Sequence, residues 1–178
     1  MTTSDPWKRA RNFEELLVLT ARFLGGEPIG FPGWAVDQTD DESDEFLPVL
    51  LAANRAGLLS VASQPGEPFG PGHDGWSWGG RAFIGGFAHA TVADGLRTRA
   101  ASSGLWVRSA DHDGPFEISA GLRDGLPYLI LGSEAGQAEL ELFEGEVSPG
   151  ARAELATLSF LWVIDPVWGR RDRLLAAF

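Results

Sequence analysis

The stretch that decides the fold is RAFIGGFAHATVADGLRTRAASSGLWVRSA, residues 81–110. Its first part, Arg81 to His89, is largely apolar and predicts a strand. Thr91 is placed to cap a helix that ends at Gly104, and Leu105 to Ala110 predicts a second strand. A strand, a helix and a strand in this order predict a βαβ unit with two parallel strands and a right-handed crossover.

Helical patterns flank this unit on both sides. Asn12 is suited to cap a first helix whose apolar residues repeat at helical spacing up to the glycines that follow Leu24. A second helix is predicted from about Ser43 to Ala56, within and after an acidic run that we expect to be solvated. Pro149 favours the first turn of a further helix, and a short helix is predicted over 170–178.

Further strands are predicted from short apolar or alternating runs at Leu58 to Ala62, Phe116 to Arg123, Leu126 to Leu131, Ala138 to Phe143 and Phe160 to Ile164. Asp124-Gly125 is typical of a hairpin turn. The segment from Ser63 to Gly80 holds six glycines and three prolines, which predicts a long irregular loop of the kind that often carries function. We therefore expect a single α/β (or α+β) domain over 1–178, with one mixed sheet that contains the βαβ unit and an antiparallel meander, flanked by helices.

Composition narrows the classes of function. The formal net charge of the 178 residues is −11, which disfavours binding to nucleic acids and to anionic membranes. Such acidity serves solubility, or it suits a surface that covers a basic protein. The chain has no cysteine, which excludes disulfides, thiolate zinc sites and a cysteine nucleophile. The first residues are polar and no apolar run is long enough to span a membrane, so a soluble, cytoplasmic protein is expected.

No cofactor is predicted. Gly70, Gly72 and Gly75 have the spacing G-x-G-x-x-G, but tryptophan follows them where a dinucleotide-binding motif requires a helix. The three histidines, at positions 73, 89 and 112, are too scattered for metal-ligand spacing. We therefore predict no metal site.

Polar residues follow three of the predicted strands. Ser63 and Gln64 come after the strand at 58–62, His89 ends the strand that begins at Arg81, and Asp165 follows the last strand. If these strands are mutually parallel, the four side chains share one edge of the sheet, where ligands bind in open α/β folds. A hydroxyl, an amide, an imidazole and a carboxylate suffice for acid/base or acyl-transfer chemistry. Ordinary turn chemistry is the alternative explanation for these residues.

A second group of residues is predicted to bind a ligand: His73, Trp76, Trp78, Arg81, Trp168 and Arg170. Tryptophans in loops suggest either the wall of a pocket or a contact surface. Arginines in an acidic protein are suited to clamp a carboxylate or phosphate, although pairing with the acidic run at 37–45 is an alternative.

Several short motifs resemble an actinobacterial domain family of unknown function. They are LTARFLGG at 19–26, NRAG at 54–57, SQPG at 63–66, Arg81-Ala82, Gly86-Phe87 and DPVWGR at 165–170. The resemblance covers nearly the whole chain and implies an actinobacterial source. It brings no assigned activity and no site residues.

Three hypotheses of function remain. The first is an enzyme of specialised metabolism that acts on a small molecule without a metal or redox cofactor. The second is an acidic binding module, of the immunity or inhibitor type, that covers a basic partner. The third is a symmetric homodimer whose loops serve assembly. The sequence favours the first only narrowly.

Overall fold

A computed structural model describes residues 5–34, 44–170 and 172–178. Ser43 and most of the acidic run lie outside these residues. The helices are α1 (Pro6–Arg9), α2 (Phe13–Leu24), α3 (Leu47–Arg55), α4 (Ala90–Ser103), α5 (Ala110–Asp113), α6 (Ala135–Glu141) and α7 (Pro149–Leu155), followed by a 3-10 turn at Leu174–Ala177. The strands are β1 (Leu59–Gln64), β2 (Glu67–Pro71), β3 (Ser77–Gly80), β4 (Phe83–Ala88), β5 (Trp106–Arg108), β6 (Glu117–Arg123), β7 (Leu126–Gly132) and β8 (Ser159–Ile164).

The first sheet has the order β1-β4-β8-β5. Each neighbouring pair in it is antiparallel. Because β4 and β5 are both antiparallel to β8, they run in the same direction, as the βαβ prediction requires. The prediction did not foresee that β8 lies between them. Strand β8 is formed by residues far along the chain, and nothing in 81–110 signals its insertion.

The second sheet has the order β2-β3-β6-β7 and is also antiparallel throughout. Its first two strands come from the segment at 63–80, so the prediction of a long irregular loop there is wrong. Pro68 and Pro71 favoured the prediction of a loop, because proline usually interrupts a sheet. Strand β2 lies at the sheet edge, where a missing N–H group is tolerated.

The α+β class is therefore confirmed, with the strands divided between two antiparallel sheets in place of one mixed sheet. The strand predicted at Ala138–Phe143 is wrong, because this segment belongs mainly to α6. Its alternation of Glu and Leu imitates a strand. The buried residues are Leu140 and Phe143, three positions apart, which is helical spacing.

The predicted ends of several elements are confirmed by their local contacts. The Asn12 side chain accepts a hydrogen bond from the backbone N–H of Glu15 at 3.0 Å and caps α2. Ser148 caps α7 in the same way through Ala151. Asp124 and Gly125 both have positive φ, at 49° and 77°, as a two-residue hairpin turn between β6 and β7 requires.

Two clusters of apolar side chains cover the two faces of the first sheet. Along β4 and β8, alternate residues such as Ile84 and Val163 belong to a large cluster shared with the helices. Phe83, Trp162 and Ile164, on the other face of β4 and β8, form a smaller cluster with Ala120 and Leu131 of the second sheet. The first sheet is thus a middle layer between helices and the second sheet. In the part of the chain described, no helix is long and apolar enough to cross a membrane.

Candidate functional site

The antiparallel register brings three of the four predicted catalytic residues to one end of the first sheet. Gln64 is opposite Phe83 on β4, and Phe83 is opposite Ile164 on β8. The backbone N–H of Asp165 donates to the carbonyl of Ala82 at 2.9 Å, which extends this pairing. Ser63, Gln64 and Asp165 therefore lie at the same sheet end.

His89 lies at the opposite end, so its predicted place beside the other three is wrong. The prediction required parallel strands, but β4 runs against β1 and β8, and the end of β4 therefore meets their beginnings. His89 occupies the N-cap position of α4, and Thr91 lies in the first turn. The His89 ring packs edge-on against Phe13, with the ring centroids 5.2 Å apart.

Two carboxylates surround His89 at this opposite end. Its Nε2 lies 3.8 Å from Oε1 of Glu14, and Glu154 completes a group whose ligand atoms lie within 4.8 Å of one another. Glu154 also accepts a hydrogen bond from the backbone N–H of Phe13 at 2.8 Å, so it caps α2 from a distance. These residues have the chemistry to hold a divalent cation, and their wide separation in the chain hides this from sequence spacing.

Asp165 is completely buried and organises the turn after β8. Its Oδ1 accepts the backbone N–H of Val167 at 2.9 Å. Its Oδ2 is buried without a hydrogen-bond partner among the described residues. The Asp165 carboxylate is therefore closed to solvent, whereas the Ser63 side chain on β1 is exposed.

Arg81 contacts several residues at the sheet end where Gln64 and Asp165 lie. Its guanidinium lies between two indole rings, 4.2 Å from the centre of Trp168 and 5.3 Å from that of Trp106. It donates to the carbonyl of Pro166 at 3.1 Å and to that of Ser119 at 2.8 Å. Burial lowers the pKa of the guanidinium from its ordinary value. Arg81 thus ties the turn after β8 to the second sheet.

Three of the segments with family-like motifs, at 63–66, 81–82 and 165–170, come together near Arg81. The chain crosses between the sheets at Arg81-Ala82 and at Pro65-Gly66. A Cβ on Gly66 would lie 2.1 Å from the carbonyl oxygen of Arg170, so only glycine fits there. The backbone N–H of Gly169 donates to the carbonyl of Gly80 at 2.9 Å. The Arg170 side chain pairs with Asp172 at 3.3 Å.

A second concentration of predicted residues lies on the second sheet. The Arg123 guanidinium stands 4.1 Å from the centre of the Trp76 ring and 5.1 Å from that of Trp78. The Trp78 ring packs edge-on against Tyr128, with the centroids 4.9 Å apart. Leu126 is opposite Arg123 in the register of β6 and β7. We call Trp76, Trp78, Arg123, Leu126 and Tyr128 the aromatic face.

The hairpin between β2 and β3 is held in shape by Asp74. Its Oδ1 accepts the indole N–H of Trp78 at 2.9 Å and the backbone N–H of Trp76 at 3.1 Å. The hydrogen bond from Trp78 is the main cause that lowers the pKa of this carboxyl. His73, predicted to bind a ligand, is exposed beside it. Trp76 and Trp78 are therefore held in a fixed arrangement by Asp74.

Sequence reasoning missed the part of this surface that β7 provides. Leu126, Tyr128 and Ile130 are exposed by 71%, 58% and 53%, whereas Leu131 is buried. The alternation along the strand was visible, but it did not show that the outward positions are the apolar ones. A groove of about 550 Å³ lies beyond Ile130 and is also lined by Phe116, Glu117 and Glu134.

A comparison with models of protein families finds one match, to "Domain of unknown function (DUF6919)", over residues 2–178. The chain belongs to this family. The match confirms the resemblance to an uncharacterised domain family and extends over nearly every residue. No curated protein matches the chain. Membership of DUF6919 brings no activity with it.

Proposed function

We propose that this domain is a protein-binding module that docks a basic protein on its aromatic face. The observation that carries the proposal is the group of large apolar side chains that β7 and the neighbouring hairpin leave in solvent. Trp76, Leu126, Tyr128 and Ile130 are each exposed by 44% or more. Apolar groups of this size, with aromatic residues among them, are typical of protein interfaces.

The order of the aromatic face supports this proposal. Trp76 and Trp78 are fixed by Asp74 and by stacking on Arg123. Rigid aromatic side chains lose little conformational entropy when a partner binds, so more of the contact energy remains as affinity. The hydrogen bonds to Asp74 and the contacts with Arg123 therefore favour a binding role for Trp76 and Trp78.

Charge indicates the kind of partner. Exposed acidic residues occur on the strands of the second sheet, in its turns and just after β7: Glu67, Asp74, Glu117, Asp124 and Glu134. Arg123 is the basic residue of the face itself and is stacked between two indoles. Together with the net charge of −11, this distribution favours a partner of opposite charge and disfavours an acidic one.

The enzyme hypothesis has less support from the same geometry. His89 is at the far end of the sheet, and the Asp165 carboxylate is buried and bonded to Val167. Ser63 and Gln64 thus lack an adjacent imidazole for acid/base work. Catalysis by Ser63, Gln64 and Asp165 on a small molecule remains a prediction that requires a substrate.

The proposal is tested by affinity capture from lysate of cells that naturally produce the protein. We expect the unmodified chain to retain a protein of high isoelectric point, with retention lost at high salt. The paired substitutions Trp76→Ala and Tyr128→Ala should abolish retention. Val18→Ala is the matched control, since Val18 is exposed by 59% but lies on α2. Equal retention by the control and the paired variant would refute the proposal.

A further inference from the structure

Strand β7 leaves one edge of the second sheet open. It is the last strand in the order β2-β3-β6-β7, and within the described residues it pairs only with β6. The backbone groups on its other side therefore have no partner strand. Such an edge is a template for pairing with a further strand.

The other sheet edges are protected in ways that β7 is not. Strand β2 carries the charged Glu67, and β5 has only three residues. Strand β1 is covered, since Leu59, Ser60 and Val61 are buried beneath α2 and α3. Strand β7 has seven residues, LPYLILG, and none of them is charged. Long, uncharged, exposed edges are rare in proteins because they pair with other chains.

We propose that β7 binds an extended segment of the basic partner by adding it to the second sheet as a fifth strand. This inference rests on the proposed function and specifies how the partner binds. Pro127 offers no N–H group, and the carbonyl of Gly132 already accepts the Trp162 indole N–H at 3.1 Å, so pairing is confined to Tyr128–Leu131. The exposed side chains of Tyr128 and Ile130 then pack against alternate side chains of the added strand, and the Trp78 ring supports Tyr128 from behind.

The groove at the end of β7 specifies one side chain of that segment. Phe116 and Ile130 give it an apolar wall, and Glu117 and Glu134 place two carboxylates at its rim. A lysine or arginine matches this combination, because its aliphatic stem packs on apolar surface while its charged head meets the carboxylates. The segment therefore carries a basic side chain opposite the end of β7.

A second copy of this chain is the other occupant that an open edge invites. It would bring its own Glu117, Asp124 and Glu134 against those of the first copy. Each copy also carries a net charge of −11. Like charges facing each other destabilise an interface, so the structure favours a basic partner over self-pairing.

The experiment uses the full chain and three synthetic nine-residue peptides. The first alternates valine with lysine, the second replaces lysine with glutamate, and the third is the lysine peptide with alternate backbone nitrogens methylated. Amide resonances and hydrogen exchange of the protein are followed by NMR during titration. The lysine peptide should shift and protect amides of β7, and the glutamate peptide should not bind. N-methylation should weaken binding at least about tenfold, because it removes the backbone donors of the added strand.

Variants of the protein give the matched control. Glu117→Gln with Glu134→Gln should weaken the lysine peptide about tenfold, while Glu141→Gln on α6 should leave it unchanged. If the methylated peptide binds as tightly as the unmethylated lysine peptide, strand addition is overturned. If Tyr128→Ala also abolishes that binding, docking on the aromatic face remains supported. No binding of any peptide, or protection of β7 by self-association alone, would overturn the inference.

Discussion

The Arg81 guanidinium lies 4.2 Å from the centre of the Trp168 ring, and it donates a hydrogen bond to the carbonyl of Pro166 two residues earlier. The same guanidinium reaches Ser119 on the second sheet. One side chain thus connects the turn after β8 to both sheets. Arg81 therefore joins two of the segments with family-like motifs, 81–82 and 165–170, and Gly66 brings a third against Arg170.

Replacement of Arg81 tests this connection. Arg81→Met should lower the free energy of unfolding by about 2–3 kcal/mol, because it leaves buried carbonyls without charged donors and ends the stacking on Trp168. Arg81→Lys should recover only part of the loss, since an ammonium lacks the planar fork. Urea denaturation measures both effects. Arg55→Lys, at an exposed helical position, is the control, and an equally large effect there would discount the role of Arg81.

Gly85 on β4 is expected to tolerate no side chain. A Cβ at this position would lie 2.2 Å from Cζ3 of Trp162 on the neighbouring strand. Gly85→Ala should therefore destabilise the protein by about 1–3 kcal/mol through overpacking. Thermal unfolding gives the measurement. Gly70→Ala provides the comparison, since its nearest atom is 3.9 Å away, and a similar loss there would contradict the steric explanation.

Acidification is expected to loosen the hairpin that carries Trp76 and Trp78. The pKa of Asp74 is lowered chiefly by the hydrogen bond from the Trp78 indole. Its contribution is therefore present above the ordinary value of 3.8 and is lost as the pH falls through the lower folded value. The indole N–H resonance of Trp78 should titrate with a midpoint below 3.8. In Asp74→Asn this titration should disappear, and its persistence would assign the change to another group.

Glu139 on α6 should respond to pH in the opposite sense. Burial raises the pKa of its carboxyl above the ordinary value of 4.5. A raised value contributes stability below pH 4.5 that is lost as the pH rises through the folded value. Glu139→Gln should thus be more stable than the parent at pH 7 and equal to it below pH 4.5. Denaturation at the two pH values measures this, with exposed Glu141→Gln as a variant expected to show no such gain.

Local signals in the sequence predicted most helices and strands correctly. Asn12, Ser148, Gly104 and the turn at 124–125 act through neighbours a few residues away, so their roles can be read without the fold. The pairing of strands is different, because it depends on contacts between residues far apart in the chain. The prediction of a shared site that included His89 was wrong for this reason: it assumed parallel strands that the register excludes.

The candidate docking surface was predicted in part. Trp76 and Trp78 were singled out because tryptophans in a glycine-rich segment suggest either the wall of a pocket or a contact surface. Tyr128 and Ile130 were not, since an alternating strand shows two faces without showing which one is covered. Only the packing of Leu131 against the first sheet decides that Tyr128 faces solvent.

The insertion of β8 between β4 and β5 has a consequence for biosynthesis. Strand β5 ends at Arg108, yet it has no neighbour in the first sheet until residues 159–164 are available. While the ribosome is adding residues 109–164, β4 and β5 cannot be joined, and their apolar faces stay open. The first sheet must therefore close late, after β8 has left the exit tunnel, and until then its exposed apolar strands leave the nascent chain prone to aggregation.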